Sequence, residues 1–394
     1  MYGAAGSLAV LLALTSRRLR QLPVSEPMVA LLAGVAAGPQ FLGLLVVPEE
    51  IRDVILLEGA RLLLAASVMA AALRSPFADL AAVVRPVGVL LVVVMPLSAL
   101  IAGLAGLAVG IPLVLTLLVG ACLSPTDPVL AASVVSGEDA ERDLPSRLRQ
   151  TLSIESGAND GLALPLVAVA LTGVLAGQAL AGVAGRLAWE VLAGVVIGAV
   201  CGIGAGRAFR RAHAGGDLAE GPRLVFTLLL SVAVLGLARL ARTDGVLAVF
   251  VAGLAYNRWI DQEVRGAQDA VDEAVNRYLV LPLFLLLGAV LPWAEWRSLG
   301  PGLLLFVAVV LLLRRLPVVW ALARPLRMAG RDAVFAGWFG PMGISAVFYL
   351  AYAAHEGAQD PRLFALGTLA VAASVLAFGV TGSPARRRYA GVAG

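Results

Sequence analysis

The chain contains no lysine, and all 30 of its basic residues are arginine. Every basic role therefore falls to a guanidinium, which keeps its charge at any accessible pH. Cysteine and histidine are nearly absent. Cys122 and Cys201 lie in separate apolar runs, and His213 and His355 in separate connections. Neither pair has disulfide or metal-ligand spacing, which argues against redox chemistry, a structural metal and a resident cofactor. Charge is scarce too, at 14% of 394 residues against roughly 25% in a soluble domain. With 60% hydrophobic residues and a mean hydropathy of +0.91, no soluble domain of useful size remains. The net charge of +4 calls for no nucleic-acid partner, because arginine-rich loops facing an anionic lipid leaflet account for it.

What fills the chain instead is a succession of apolar runs of about 20 residues, the length a helix needs to cross a lipid bilayer. They predict an all-α polytopic membrane protein of about 13 transmembrane helices. The runs fall near 3–15, 26–46, 54–73, 86–109, 111–136, 148–175, 186–207, 223–240, 244–257, 277–292, 301–323, 331–353 and 363–381. Arginines concentrate in the odd-numbered connections, among them Arg17, Arg18 and Arg20, then Arg142, Arg147 and Arg149, then Arg324, Arg327 and Arg331. The positive-inside bias then puts the amino terminus outside and the carboxyl terminus in the cytoplasm, across a bacterial inner membrane. Because Arg17, Arg18 and Arg20 follow the first run, that run is not read as a cleavable signal.

Two runs carry helix breakers at mid-depth: Pro125 and Pro128 around Asp127 in the fifth, and Gly340-Pro341-Met342-Gly343 in the twelfth. Proline removes a backbone donor and glycine weakens the helix, so both runs are expected to unwind. The two lie seven runs apart, an odd offset, so they cross the membrane in opposite directions. That pattern points to inverted repeats with two discontinuous crossing helices, runs 1–6 and 8–13, joined by run 7.

Three carboxylates, Asp127, Glu155 and Asp160, stand in this hydrocarbon-spanning sequence. A charge at bilayer depth costs from about 2.5 to more than 10 kcal/mol, so such groups face a cavity and mark ion or proton sites. On a helix, Asp160 and Ser156 share one face, while Glu155 and Asn159 share the next. Asp127 adds a second acid beside unwound backbone carbonyls. Carboxylate, hydroxyl and carbonyl oxygens suit a hard cation such as Na⁺, with Asp160 and Asp127 as its acidic ligands; a transition metal would call for imidazole or sulfur. Burial disfavours the ionised form of Asp160, so proton and cation compete there, and obligatory exchange follows. Glu155 needs a cation to stay buried. Arg314 and Arg315 are the arginines deep in a run; Arg314 is assigned as the bridge, with Arg315 as the second choice.

At these residues the chain resembles a known family. Thr126-Asp127-Pro128-Val129-Leu130-Ala131, Glu155-Ser156-Gly157-Ala158-Asn159-Asp160-Gly161 and Phe339-Gly340-Pro341-Met342-Gly343 are similar to the sodium/proton exchangers of the monovalent cation/proton antiporter superfamily. The likeness is to the branch with Asn-Asp in place of Asp-Asp, and to the fungal plasma-membrane type in particular. The resemblance implies that Asp160 is the essential cation and proton ligand, completed by Asp127, Ser156 and the Thr126 carbonyl. It implies that Asn159 orders the crossing helices, and that Arg314-Arg315-Leu316-Pro317-Val318 carries the structural arginine. It further implies a homodimer in which core helices move against a scaffold. Residues 1–85 and 223–300 would be scaffold and dimer helices, 86–175 and 301–394 the core transport helices, and 176–222 the linking helix. Met342 stands where many relatives have arginine, and Glu58 is the sole acid of the third run. The expected function is exchange of Na⁺, and of Li⁺, for H⁺. A K⁺/H⁺ exchanger of the same architecture is the near alternative and a cation channel the remoter one. Without histidine or cysteine near the acids, an intramembrane enzyme is not expected.

Overall fold

The computed structural model describes residues 2–19, 24–74, 80–175 and 180–391; Arg20 lies outside them. Every regular element among the described residues is helical. In order they are α1 (Tyr2–Leu19), α2 (Glu26–Ala37), α3 (Glu49–Val54), α4 (Ala60–Leu73), α5 (Leu80–Val89), α6 (Met95–Ala105), α7 (Leu113–Cys122), α8 (Pro128–Val135), α9 (Glu138–Asp143), α10 (Ser146–Val174) and α11 (Leu180–Gly215). Then follow α12 (Glu220–Leu240), α13 (Gly245–Asn257), α14 (Gln262–Leu279), α15 (Leu281–Ala289), α16 (Trp293–Leu299), α17 (Gly302–Ala308), α18 (Leu316–Ala321), α19 (Ala323–Leu326), α20 (Gly330–Trp338), α21 (Ile344–His355) and α22 (Pro361–Gly391). Wide π turns join α3 to α4 at Ile55–Gly59, α5 to α6 at Leu90–Val94 and α17 towards α18 at Val309–Leu313. The last two occupy the fourth and eleventh apolar runs, the positions that would correspond in the two expected repeats.

Among the described residues, seven helices are long and apolar enough to cross a membrane, or eight if the bent pair Gln262–Ala289 and Trp293–Leu299 makes one span. Helices α2, α7, α13 and α21 are apolar but too short to do so alone. Thirteen unbroken spans are therefore not found among the described residues; several runs are short or broken segments. Large apolar side chains such as Val92, Leu192, Leu229, Leu304 and Trp320 lie exposed on the helix surfaces. Water would not tolerate so much exposed hydrocarbon, whereas a bilayer interior solvates it. The chain is a multi-pass membrane protein.

Both expected breaks are present. Residues 123–127 separate α7 from α8, and residues 339–343 separate α20 from α21. Helix α10, which carries Glu155, Asn159 and Asp160, packs against α7, α8, α4 and α13. It thus touches both the broken pair and the helices around α4 and α13. Elsewhere α11 lies along α13, and α2 along α15.

The α2–α15 contact depends on two glycines that face each other's partner helix. A Cβ on Gly34 would strike the Leu285 carbonyl, and one on Gly288 the Leu31 carbonyl. Backbone cannot step aside as a side chain can. Gly34→Val and Gly288→Val are each expected to destabilise the fold by about 1–3 kcal/mol, read as a lower thermal unfolding temperature in detergent. An unchanged midpoint would show that the two helices can separate freely.

Candidate functional site

The site is built where the two broken helices cross. The Asp127 carboxylate caps α8, with Oδ1 accepting from the Val129 amide at 2.8 Å and the Leu130 amide at 3.0 Å. Its Oδ2 accepts from the Ile344 amide, which opens α21. The Asp127 amide in turn donates to the Pro341 carbonyl at 2.8 Å. One carboxylate therefore receives the amino-terminal ends of both half-helices, each of which carries a partial positive charge. Gly343 permits this approach, since any Cβ there would run into the Asp127 carboxylate.

The opposite ends are matched by a cation. Arg314 donates to the Leu123 carbonyl, at the end of α7, and at 2.5 Å to the Gly340 carbonyl, past the end of α20. The two carboxyl-terminal ends thus share one guanidinium. This corrects the assignment of Arg314 as the partner of Glu155. Arg315 makes that bridge, with nitrogen–oxygen distances of 2.9 and 3.1 Å, and its Nε donates to the Ala336 carbonyl at 3.1 Å. The physical reason lies in the backbone. The π turn at Val309–Leu313 is followed by a break at Arg315, with φ −126° and ψ −44°, so facing cannot be counted along a regular helix.

Asn159 ties α10 to this crossing. Its Nδ2 donates to Thr126 Oγ1 at 2.7 Å and to Glu155 Oε1 at 2.9 Å, while its Oδ1 accepts from the Thr126 amide at 3.3 Å. Both amide protons are used and one acceptor lone pair is filled, so Asn159 fixes the orientation of Thr126 and Glu155 together. Ser156 instead spends its hydroxyl on the Ser153 carbonyl of its own helix, at 3.1 Å.

Asp160 is different. It is fully buried, and neither carboxylate oxygen has a hydrogen-bond partner. No other carboxylate among the described residues has both oxygens buried and unpartnered. Asp127 and Glu155 act on it through their charges, and the Ser345 hydroxyl, in the first turn of α21, faces it. Ser345 Oγ is also buried without a partner. Burying an ionised carboxylate with no compensation is prohibitive. The Asp160 main-chain carbonyl accepts from the Tyr349 hydroxyl.

Four of the expected residues, Asp127, Thr126, Asn159 and Asp160, are thus brought together, with Asp127 turned to helix ends and Ser156 to its own backbone. Sequence reasoning missed Ser345 and Tyr349. A lone serine in an apolar run is weakly informative, though its place just after the glycine break was a usable signal. Met342 is buried, and its amide donates to Ser374 Oγ at 2.7 Å. Glu58 is held by Arg61 at 2.5 Å and Arg239 at 3.0 Å. No group of three or more histidine, cysteine or acidic residues arranged to hold a metal occurs among the described residues.

Two cavities approach the site. The larger, about 690 Å³, is lined by Asp244, Glu190, Tyr349 and Tyr352 among others. The smaller, about 440 Å³, is lined by Glu26, Ser133, Asp139 and Arg386. A narrow pocket that shares Glu26, Ser133 and Glu273 with the smaller cavity reaches Val129 and Leu130, whose amides cap Asp127.

Residues 6–387 match the family described as sodium/hydrogen exchanger, transmembrane. The chain belongs to this family. Among exchangers, Na(+)/H(+) antiporter 2 of Zygosaccharomyces rouxii is 34% identical over 346 residues, covering 83% of this chain and 42% of that protein. The probable Na(+)/H(+) antiporter C3A11.09 of Schizosaccharomyces pombe is 30% identical over 344 residues, covering 82% and 45%. The chain thus spans less than half the length of either fungal exchanger. The solved structure of the sodium proton antiporter MjNhaP1 from Methanocaldococcus jannaschii superposes with a TM-score of 0.78 at 18% identity, over 98% of this chain and 97% of that one. The exchanger fold is therefore shared well beyond the reach of sequence identity.

The buried Glu155–Arg315 pair generates a prediction. Removing one partner strands the other charge, so Arg315→Met and Glu155→Leu are each expected to cost about 3–5 kcal/mol, and the double variant less than either. Thermal unfolding of the purified proteins measures this. Additive losses in the double variant would refute the pairing.

Proposed function

We propose that the chain exchanges Na⁺, and with it Li⁺, for H⁺ across a membrane, with Asp160 as the shared site. The observation that carries this is the bare Asp160 carboxylate, fully buried in a crossing whose neighbouring acids are already engaged. Asp127 faces three amides and Glu155 faces Arg315, so Asp160 alone among them has both oxygens available. A proton or a small cation neutralises it equally well, and the two exclude each other. The loaded site can then move through the low-dielectric interior, whereas the empty, ionised one is held back. Ser345 offers a hydroxyl as second ligand; Asp127, Asn159 and Thr126 keep the crossing in shape. The names of the fungal relatives as Na(+)/H(+) antiporters support sodium as the cargo.

In this reading the core is the broken pair with α10 and α22, moving against the helices around α4 and α13 in a homodimer. The arginine pattern supports a cytoplasmic carboxyl terminus in a bacterial inner membrane.

The test uses proteoliposomes with an internal pH dye, to which Na⁺, Li⁺ or K⁺ is added outside. Wild type is expected to release protons on addition of Na⁺ or Li⁺, Asp160→Asn to release none, and Ser345→Ala to need about tenfold more cation for half-maximal rate. Proton release driven by cation in folded Asp160→Asn would sink the assignment. A response to K⁺ alone would make the chain a potassium/proton exchanger, and cation flux without proton movement would make it a channel.

A further inference from the structure

Asp244 stands at the junction of α12 and α13, on the wall of the larger cavity. It is 4% exposed. Its Oδ1 caps α13, accepting from the Val246 amide at 2.9 Å and the Leu247 amide at 3.0 Å. That is an ordinary capping role and needs one oxygen. The other oxygen, Oδ2, is buried and has no partner, and the same holds for the hydroxyl of its neighbour Thr243, which lines the same cavity. A carboxylate and a hydroxyl, both unsatisfied, repeat the donor set of Asp160 and Ser345.

Among the acids lining this cavity, Asp244 is the buried one with an unengaged oxygen. Arg186 is bonded to Glu190 at 2.7 Å, while Arg61 and Arg239 share Glu58. Arg242 and Glu356 complete the charged lining and are exposed. Tyr349 connects the cavity to the crossing: it lines the wall beside Asp244, and its hydroxyl donates to the Asp160 carbonyl. The charges of both aspartates bear on that hydroxyl.

We propose that Asp244 Oδ2, with Thr243 and cavity water, is a second monovalent-cation site, a station that the cargo occupies between solution and Asp160. Two helix amides already offset part of its charge, which makes it a weak site. Passage requires this, since a station must bind well enough to be entered and loosely enough to be left. The proposal rests on the exchange reading above, and it adds that the two faces of the protein differ in how they load.

The full chain is studied in right-side-out and everted membrane vesicles, with Na⁺ or Li⁺ titrated on one face at a time and proton movement read by a dye. Asp244→Asn keeps the Oδ1 cap and removes the charge. It is expected to raise the apparent KM by about tenfold on the face to which the larger cavity opens, and to leave the KM on the opposite face within about twofold. An equal shift on both faces, or none on either, overturns the station. Wild type that exchanges no cation would overturn the exchange reading instead, and a second measurement then decides the station by itself. Li⁺ is expected to raise the thermal unfolding temperature of purified Asp160→Asn, and not that of Asp160→Asn combined with Asp244→Asn. No Li⁺ effect in the single variant, or an equal one in both, overturns the second site.

Discussion

Four helix ends meet inside this protein where no water can solvate them, and two side chains hold them there. Asp127 collects amides from the two amino-terminal ends, and Arg314 collects carbonyls from the two carboxyl-terminal ends. Each end carries about half an elementary charge, so one full charge of opposite sign balances a pair. Unwound backbone at membrane depth otherwise leaves polar groups unsatisfied at several kcal/mol each. The proline and glycine breaks are tolerable because this exchange of charge is complete.

The remaining polar groups are arranged around that balance. Arg315 neutralises Glu155, and Asn159 spends its amide on Glu155 and Thr126. A buried ion pair of this kind gains little stability over a hydrophobic substitute, and its worth lies in fixing one arrangement of helices. Guanidinium groups cannot surrender their charge at accessible pH. The side chains around the crossing thus set a constant background for Asp160, whose oxygens none of them engages.

Much of this was legible in the sequence because hydrocarbon makes polar residues conspicuous. Asp127, Glu155 and Asp160 announce themselves in apolar runs, and Pro125, Pro128 and Gly340 to Gly343 mark the breaks. The choice between Arg314 and Arg315 was not legible, because a π turn shifts the facing of every residue after it and leaves no compositional trace. Nor was the number of full spans, since α2, α7, α13 and α21 are apolar yet short, and composition does not measure where a helix stops. Ser345 was hidden for a different reason: one hydroxyl in an apolar helix is commonly absorbed by its own backbone, as Ser156 is, and only the fold tells the two apart.

The two cavities come towards the crossing without meeting. One is closed by Tyr349, hydrogen-bonded to the helix of Asp160, and the narrow extension of the other ends at the residues that cap Asp127. The interval holds the buried residues of the crossing, Asp160 and Asp127 among them. Cavity walls that end on tightly bonded residues leave only a short span of protein between the space beside Tyr349 and that beside Val129 and Leu130.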